Sequence, residues 1–209
     1  MKCRFTHFFK IMPLIGILRG IEPNEAVAVA DAVVDCGLRI VEVPLNSPQA
    51  LFSIEQLAKR FGQEVMIGAG TVISVPEVIA VAEAGGELIV TPYARGAIVK
   101  KAKELGLTAI PGALSPTEIA EMAECGADAV KIFPAEMATP AVVKAMRAVL
   151  PVQLPLIPVG GIDSGNMAAY WQAGANGFGL GSALYRPGDP ADRVAQNAAV
   201  LVARMRELI

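Results

Sequence analysis

The chain has 209 residues, 54% of them hydrophobic and 18% charged, and its 18 Lys and Arg against 20 Asp and Glu leave a net charge of −2. That balance excludes the clustered basic footprint of a nucleic-acid binder, and the apolar share excludes a disordered or low-complexity chain. Mean hydropathy is +0.49, yet the longest uncharged run, 164–185, holds Ser164, Asn166, Gln172, Asn176 and five glycines, and the next, 148–162, is broken by Pro151, Pro155 and Pro158, so neither reads as a membrane span.

The chain opens on a lead-in segment, 1–11, that matches no pattern. Lys2, Arg4 and Lys10 then precede the apolar run Ile11–Leu18, but Pro13 interrupts it, Arg19 ends it, and no small-residue cleavage site follows, so a cytoplasmic protein is expected rather than a secreted one. From there one pattern repeats: a short apolar run, a turn, an amphipathic stretch. The runs are Pro13–Leu18, Arg39–Val43, Val65–Ala69, Glu87–Val90, Thr108–Ile110, Ala127–Phe133, Leu154–Val159 and Gly177–Leu180. Helical stretches are expected near Asn24–Cys36, Pro48–Phe61, Val75–Ala84, Arg95–Leu105, Pro116–Glu124, Pro140–Leu150, Ser164–Ala173 and Pro190–Leu208. Pro23, Ser47-Pro48, Ser74, Ser115-Pro116, Thr139-Pro140 and Asp163-Ser164 are good helix openers, and Gly37, Gly62, Gly85-Gly86, Gly106, Gly126 and Gly174 good closers. Strands alternating with helices predict a parallel sheet, and eight such units predict an α/β (β/α)8 TIM barrel, one domain over 1–209. An open doubly wound sheet is the alternative.

In a barrel of this kind chemistry sits at the C-terminal ends of the strands. Side chains alternate along a strand, so Ala129, Lys131 and Phe133 should point inward while Val130 and Ile132 face the helices. A desolvated lysine keeps some free amine near neutral pH, which is what attack on a ketone requires; a snorkelling or phosphate-binding lysine is the competing reading. Glu42, inside Ile40–Val43, should also face inward, either as a proton shuttle or in an ion pair with Arg19 or Lys131. Gly160-Gly161 and Gly181-Ser182 follow the seventh and eighth strands, where barrels often bind phosphate on backbone N–H groups. Arg19 and Thr71 can add a cation and a hydroxyl for an anionic ligand.

Other residues read as ordinary. His7 is the one histidine and lies in the lead-in, so a histidine base or a metal site is not expected. Cys3, Cys36 and Cys125 suggest neither a disulfide framework nor metal binding. Glu22, Glu77 and Glu118 read as solvated helix faces, and Tyr170 and Trp171 as packing or surface residues. Phe8, Phe9 and Phe52 look surplus to the core and hint at an oligomer interface.

Taken together, Leu14–Gly20, Val41–Pro48, Ile67–Val72, Ile89–Pro92, Val130–Pro134 and Gly179–Tyr185 resemble the 2-dehydro-3-deoxy-6-phosphogluconate/galactonate aldolase family, from about Pro13 to the end of the chain. The resemblance implies a class I aldolase without metal or other cofactor. Lys131 would be the Schiff-base lysine and Glu42 the acid/base residue. Arg19 and Thr71 would contact the pyruvyl carboxylate region, Pro92, Phe133 and Val159 would wall the substrate site, and Gly160, Gly161, Gly181 and Ser182 would hold phosphate. Two positions, Val159 before the glycine pair and Asn46 after Glu42, look like the galactonate branch, where the gluconate branch typically has Thr and Arg. The implied partners are a phosphorylated keto-deoxy sugar acid, pyruvate and glyceraldehyde 3-phosphate, with neither nucleic acid nor membrane, in a homotrimer. The alternatives are the gluconate epimer as substrate, an isomerase using Glu42 without Lys131, or a non-catalytic trimeric scaffold, engineered or otherwise.

Overall fold

The computed structural model describes residues 2–209, with side chains from Arg4 onward. The described elements run α1 (Lys2–Ile11), β1 (Leu14–Ile17), α2 (Pro23–Asp35), β2 (Ile40–Pro44), α3 (Ala50–Phe61), β3 (Met66–Gly70), α4 (Val75–Glu83), β4 (Leu88–Val90) and α5 (Gly96–Glu104). They continue as β5 (Thr108–Ile110), β6 (Gly112–Ala113), α6 (Pro116–Glu124), β7 (Val130–Ile132), α7 (Pro140–Arg147), β8 (Leu156–Pro158), α8 (Met167–Gln172), β9 (Phe178–Leu180) and α9 (Ala191–Arg206). No helix among them is long and apolar enough to cross a membrane.

Every strand pairing is parallel. Six strands form a half-barrel in the order β5-β4-β3-β2-β1-β9, and three more form a second arc, β6-β7-β8. The fifth expected strand is therefore two strands. Pro111 carries no N–H and interrupts the ladder; β5 pairs with β4, and β6 with β7. Two backbone bonds cross this junction, Asp128 N to Ala109 O and Lys131 N to Pro111 O, each 2.9 Å. On the far side the arcs meet through a single bridge, Val159 to Gly179, and a 2.9 Å bond from Asn176 N to Leu156 O.

The period-2 alternation sorts the apolar residues into two sets. Val41, Val43, Ile67, Ile89, Ala109, Val130 and Ile132 belong to the large cluster under the helices. Ile15, Ile17, Ile40, Met66, Leu88, Val90, Ile110, Ala129, Ile157 and Val159 form a separate inner cluster, with Phe133 packed against it. Phe5 and Phe8 of α1 belong to that inner cluster, 3% and 7% exposed. The lead-in is thus a helix that stoppers the N-terminal ends of the strands. Arg4 fixes it there, pairing with Glu87 and donating to Gly62 O and Val65 O at 2.9 and 3.1 Å. This overturns the surface reading of Phe8, whose burial contributes about 2 kcal/mol, and Phe9 is part-buried against the same cluster.

Helix starts separate by mechanism. Ser74 and Ser115 form capping boxes with Glu77 and Glu118, so these two acids have a definite task beyond solvating a helix face. Glu22 forms a third box, with Glu25. Ser47-Pro48 does not open α3: the helix begins at Ala50 behind a left-handed Gln49, and the Ser47 hydroxyl instead accepts from Gly20 N at 2.9 Å. The stretch expected from Ser164 is helical only from Met167, because Asp163 Oδ1 accepts from Gly165 N and Asn166 N and turns the chain first. Thr139 precedes α7 without a side-chain cap bond.

Candidate active site

Lys131 is the central residue of β7 and points into the inner cluster, 4% exposed. Register places it between Gly112 and Ile157, so the neighbour on one side has no side chain to crowd it. Its Nζ lies 4.3 Å from the centroid of the Phe133 ring, a cation–π distance that also keeps water off the amine. Burial pushes the lysine pKa down; the Glu42 charge opposes that shift, and the Arg19 charge adds to it.

Glu42 is 2% exposed, and its Oε2 has no hydrogen-bond partner. Its carboxylate occupies space that only a glycine leaves: a Cβ on Gly70 would fall within 1.8 Å of Oε2. Burial raises its pKa from 4.5 to about 7, against the lowering influence of Lys131, Arg19 and the Gly70 N–H. A buried carboxyl in this range takes and gives protons near neutrality. The expected alternative, a contact ion pair with Arg19 or Lys131, is not what the structure holds; the three groups sense one another's charge without salt-bridge contact.

Arg19, just past β1, donates to Asn46 Oδ1 at 2.8 Å and to Thr71 Oγ1 at 3.4 Å. Three successive strand ends thereby converge on one guanidinium. Thr71 holds φ +55°, left-handed backbone that a β-branched residue rarely adopts, at a strain of about 1–3 kcal/mol. Beside them, the buried Thr91 accepts from Gly112 N at 3.1 Å and donates to Tyr93 O at 2.5 Å, tying the end of β4 to β6. Gly112 is required here, because a Cβ would come within 2.6 Å of the Pro92 carbonyl.

A cavity of about 330 Å³ opens at the C-terminal ends of the strands. Its wall includes Arg19, Lys131, Phe133, Val159, Gly160, Gly161, Gly181 and Ser182, all expected site residues. Glu42, Thr71 and Pro92 are not part of that wall; Glu42 lies buried, and Thr71 is reached through Arg19. Gly160 and Gly161 hold φ +108° and +62°, so the pair makes a turn closed to other residues. Gly181 is different: a Cβ there would meet nothing within 4 Å.

Sequence reasoning missed Glu136, Ile162, Arg186 and Pro187, which also line the cavity. The signal was available in part, since each follows a strand end by only a few residues. Tyr170, expected to pack, is buried and donates to Ala135 O at 2.9 Å, holding the turn that carries Glu136.

The family "KDPG and KHG aldolase" matches residues 5–195. The 2-dehydro-3-deoxy-6-phosphogalactonate aldolase of Escherichia coli (strain K12) is 44% identical over 95% of this chain and 97% of its own. A probable 2-dehydro-3-deoxy-6-phosphogalactonate aldolase of Rhizobium meliloti (strain 1021) is 42% identical over 91% and 90%. A solved structure called "Native KDPGal structure" superposes with a TM-score of 0.93 at 45% identity, over 94% of this chain and 96% of that one.

Proposed function

The chain belongs to the KDPG and KHG aldolase family, and from that membership we propose that it is a carbon–carbon lyase of the Schiff-base class, cleaving 2-dehydro-3-deoxy-6-phosphogalactonate reversibly to pyruvate and D-glyceraldehyde 3-phosphate. The observation that carries the reading is the pair of buried groups with opposed shifts, Lys131 pushed down and Glu42 raised to about 7. Opposed shifts of this kind mark acid/base assignments.

The free amine of Lys131 attacks C2 of the keto acid, and loss of water from the carbinolamine leaves a protonated imine. Glu42 moves the protons of that exchange, then accepts the C4 hydroxyl proton as the C3–C4 bond breaks. The electron pair of that bond passes to the imine, giving an enamine and the free aldehyde. Protonation of the enamine at C3 and hydrolysis return pyruvate and the free lysine. The protonated imine is the electron sink for C3–C4 cleavage. Arg19, steadied by Asn46 and Thr71, binds the pyruvyl carboxylate. Phe133 and Val159 shield the reacting carbons, and Gly160, Gly161, Gly181 and Ser182 receive the phosphate. The two arcs act as one eight-stranded barrel in a single domain over 1–209, in a cytoplasmic homotrimer. Exposed apolar side chains, Met137, Val149 and Val152 among them, support the oligomer.

Borohydride reduction in the presence of pyruvate tests the reading. The expected result is a reduced pyruvyl adduct on the peptide carrying Lys131, absent from Lys131→Met. A folded protein that yields no adduct would overturn it. Val159, 7% exposed in the cavity wall, supports the galactonate epimer. Val159→Thr adds a hydroxyl there and should shift the ratio of kcat/KM values toward the gluconate epimer by about tenfold, read by comparing the two substrates.

A further inference from the structure

Glu136 has no place in the mechanism, yet it lines the cavity. Of the charged lining residues Arg19, Lys131, Arg186 and Glu136, it is the only acid. Its carboxylate lies directly against the glycine pair. A Cβ on Gly160 would fall 2.4 Å from Oε2, and one on Gly161 would fall 3.2 Å from Oε1. The two glycines therefore do more than turn the chain: their bare Cα atoms leave the space in which this carboxylate rests. The turn carrying it is fixed at Ala135, whose N–H donates to Val159 O at 2.9 Å and whose carbonyl accepts from Tyr170. Glu136 is itself exposed, so solvent lies beside it as well as the glycine pair.

We infer that Glu136 is a specificity-determining residue whose carboxylate rests at the phosphate subsite of the free protein as an internal competing anion. This rests on reading Gly160 and Gly161 as that subsite. A phosphate docking on the pair meets a like charge within contact range, so it binds only as Glu136 swings outward. The residue weakens binding of every phosphorylated ligand, including the aldehyde product and free inorganic phosphate. A substrate bound at both ends, by its carboxylate group and by its phosphate, displaces it more readily than an anion held by phosphate alone.

Calorimetric titration with inorganic phosphate at fixed ionic strength tests this on the wild-type protein, Glu136→Gln and Glu136→Ala. Both variants should bind phosphate about tenfold more tightly, and KM for the phosphorylated substrate should fall with little change in kcat. Phosphate affinity that is unchanged or weaker in Glu136→Gln overturns the inference. So does a raised KM with phosphate affinity unaltered, which would make Glu136 a partner of a substrate hydroxyl. Phosphate binding is read without turnover, while borohydride trapping of pyruvate on the same proteins reports on Lys131. Failure of the aldolase reading and failure of this inference therefore leave different traces.

Discussion

At the scale of single residues, Glu42 sets function against stability. Its carboxyl holds a proton more tightly folded than unfolded, with a pKa of about 7 against 4.5. The folded state is therefore favoured at low pH, and that advantage disappears as pH rises from about 4.5 to about 7. The shift corresponds to about 3 kcal/mol. Glu42→Gln should melt at a higher temperature than the wild type at pH 8, show a smaller difference at pH 5, and lose nearly all aldol cleavage. A calorimetric pH series with parallel rate measurements checks all three. In the wild type, kcat/KM should fall as pH drops through about 7, because protonated Glu42 cannot accept the C4 proton. Removing the Arg19 charge, which lowers the pKa of both Glu42 and Lys131, should move that limb to higher pH.

Elements explain what could be read in advance. Inward placement of Lys131 and Glu42 followed from period-2 alternation, because a polar residue between two apolar ones on a buried strand has only one face to occupy. Ser74 and Ser115 were readable as helix starts because capping is local, settled within four residues. Glu136 was readable only as an acid a few residues past a strand end: nothing local distinguishes one on an exposed turn from one aimed at a glycine pair 24 residues later. The role of α1 was equally hidden. Phe5 and Phe8 have nothing to pack against until strands from along the whole chain have come together. Pro111 was visible, but its consequence, the split between β5 and β6, depends on which neighbour each half pairs with. Phe8→Ala isolates the contribution of α1. It should lower unfolding stability by about 3 kcal/mol and leave kcat nearly unchanged, since the ring lies at the opposite strand ends from the cavity. Denaturant titration alongside steady-state kinetics checks the separation.

For the molecule as a whole, the two ends of the strands have opposite characters. One is shut by phenylalanines, an arginine and a helix; the other holds the cavity, Glu136 and the glycine turns. Most of the hydrophobic stabilisation lies in the layer between strands and helices, so the inner cluster can carry a buried carboxyl and a desolvated amine without loss of the fold. Because α1 stoppers one end, the proposed reactants and products pass through the cavity at the other, and that imposes an order of traffic. In the proposed reaction the aldehyde fragment, with its phosphate on the glycine turns, would stand between the three-carbon fragment on Lys131 and the exit, so it would depart first and the keto acid last. Product-inhibition patterns should show pyruvate competitive with substrate and glyceraldehyde 3-phosphate noncompetitive, the signature of a queue in which the last to leave holds the place of the next to enter.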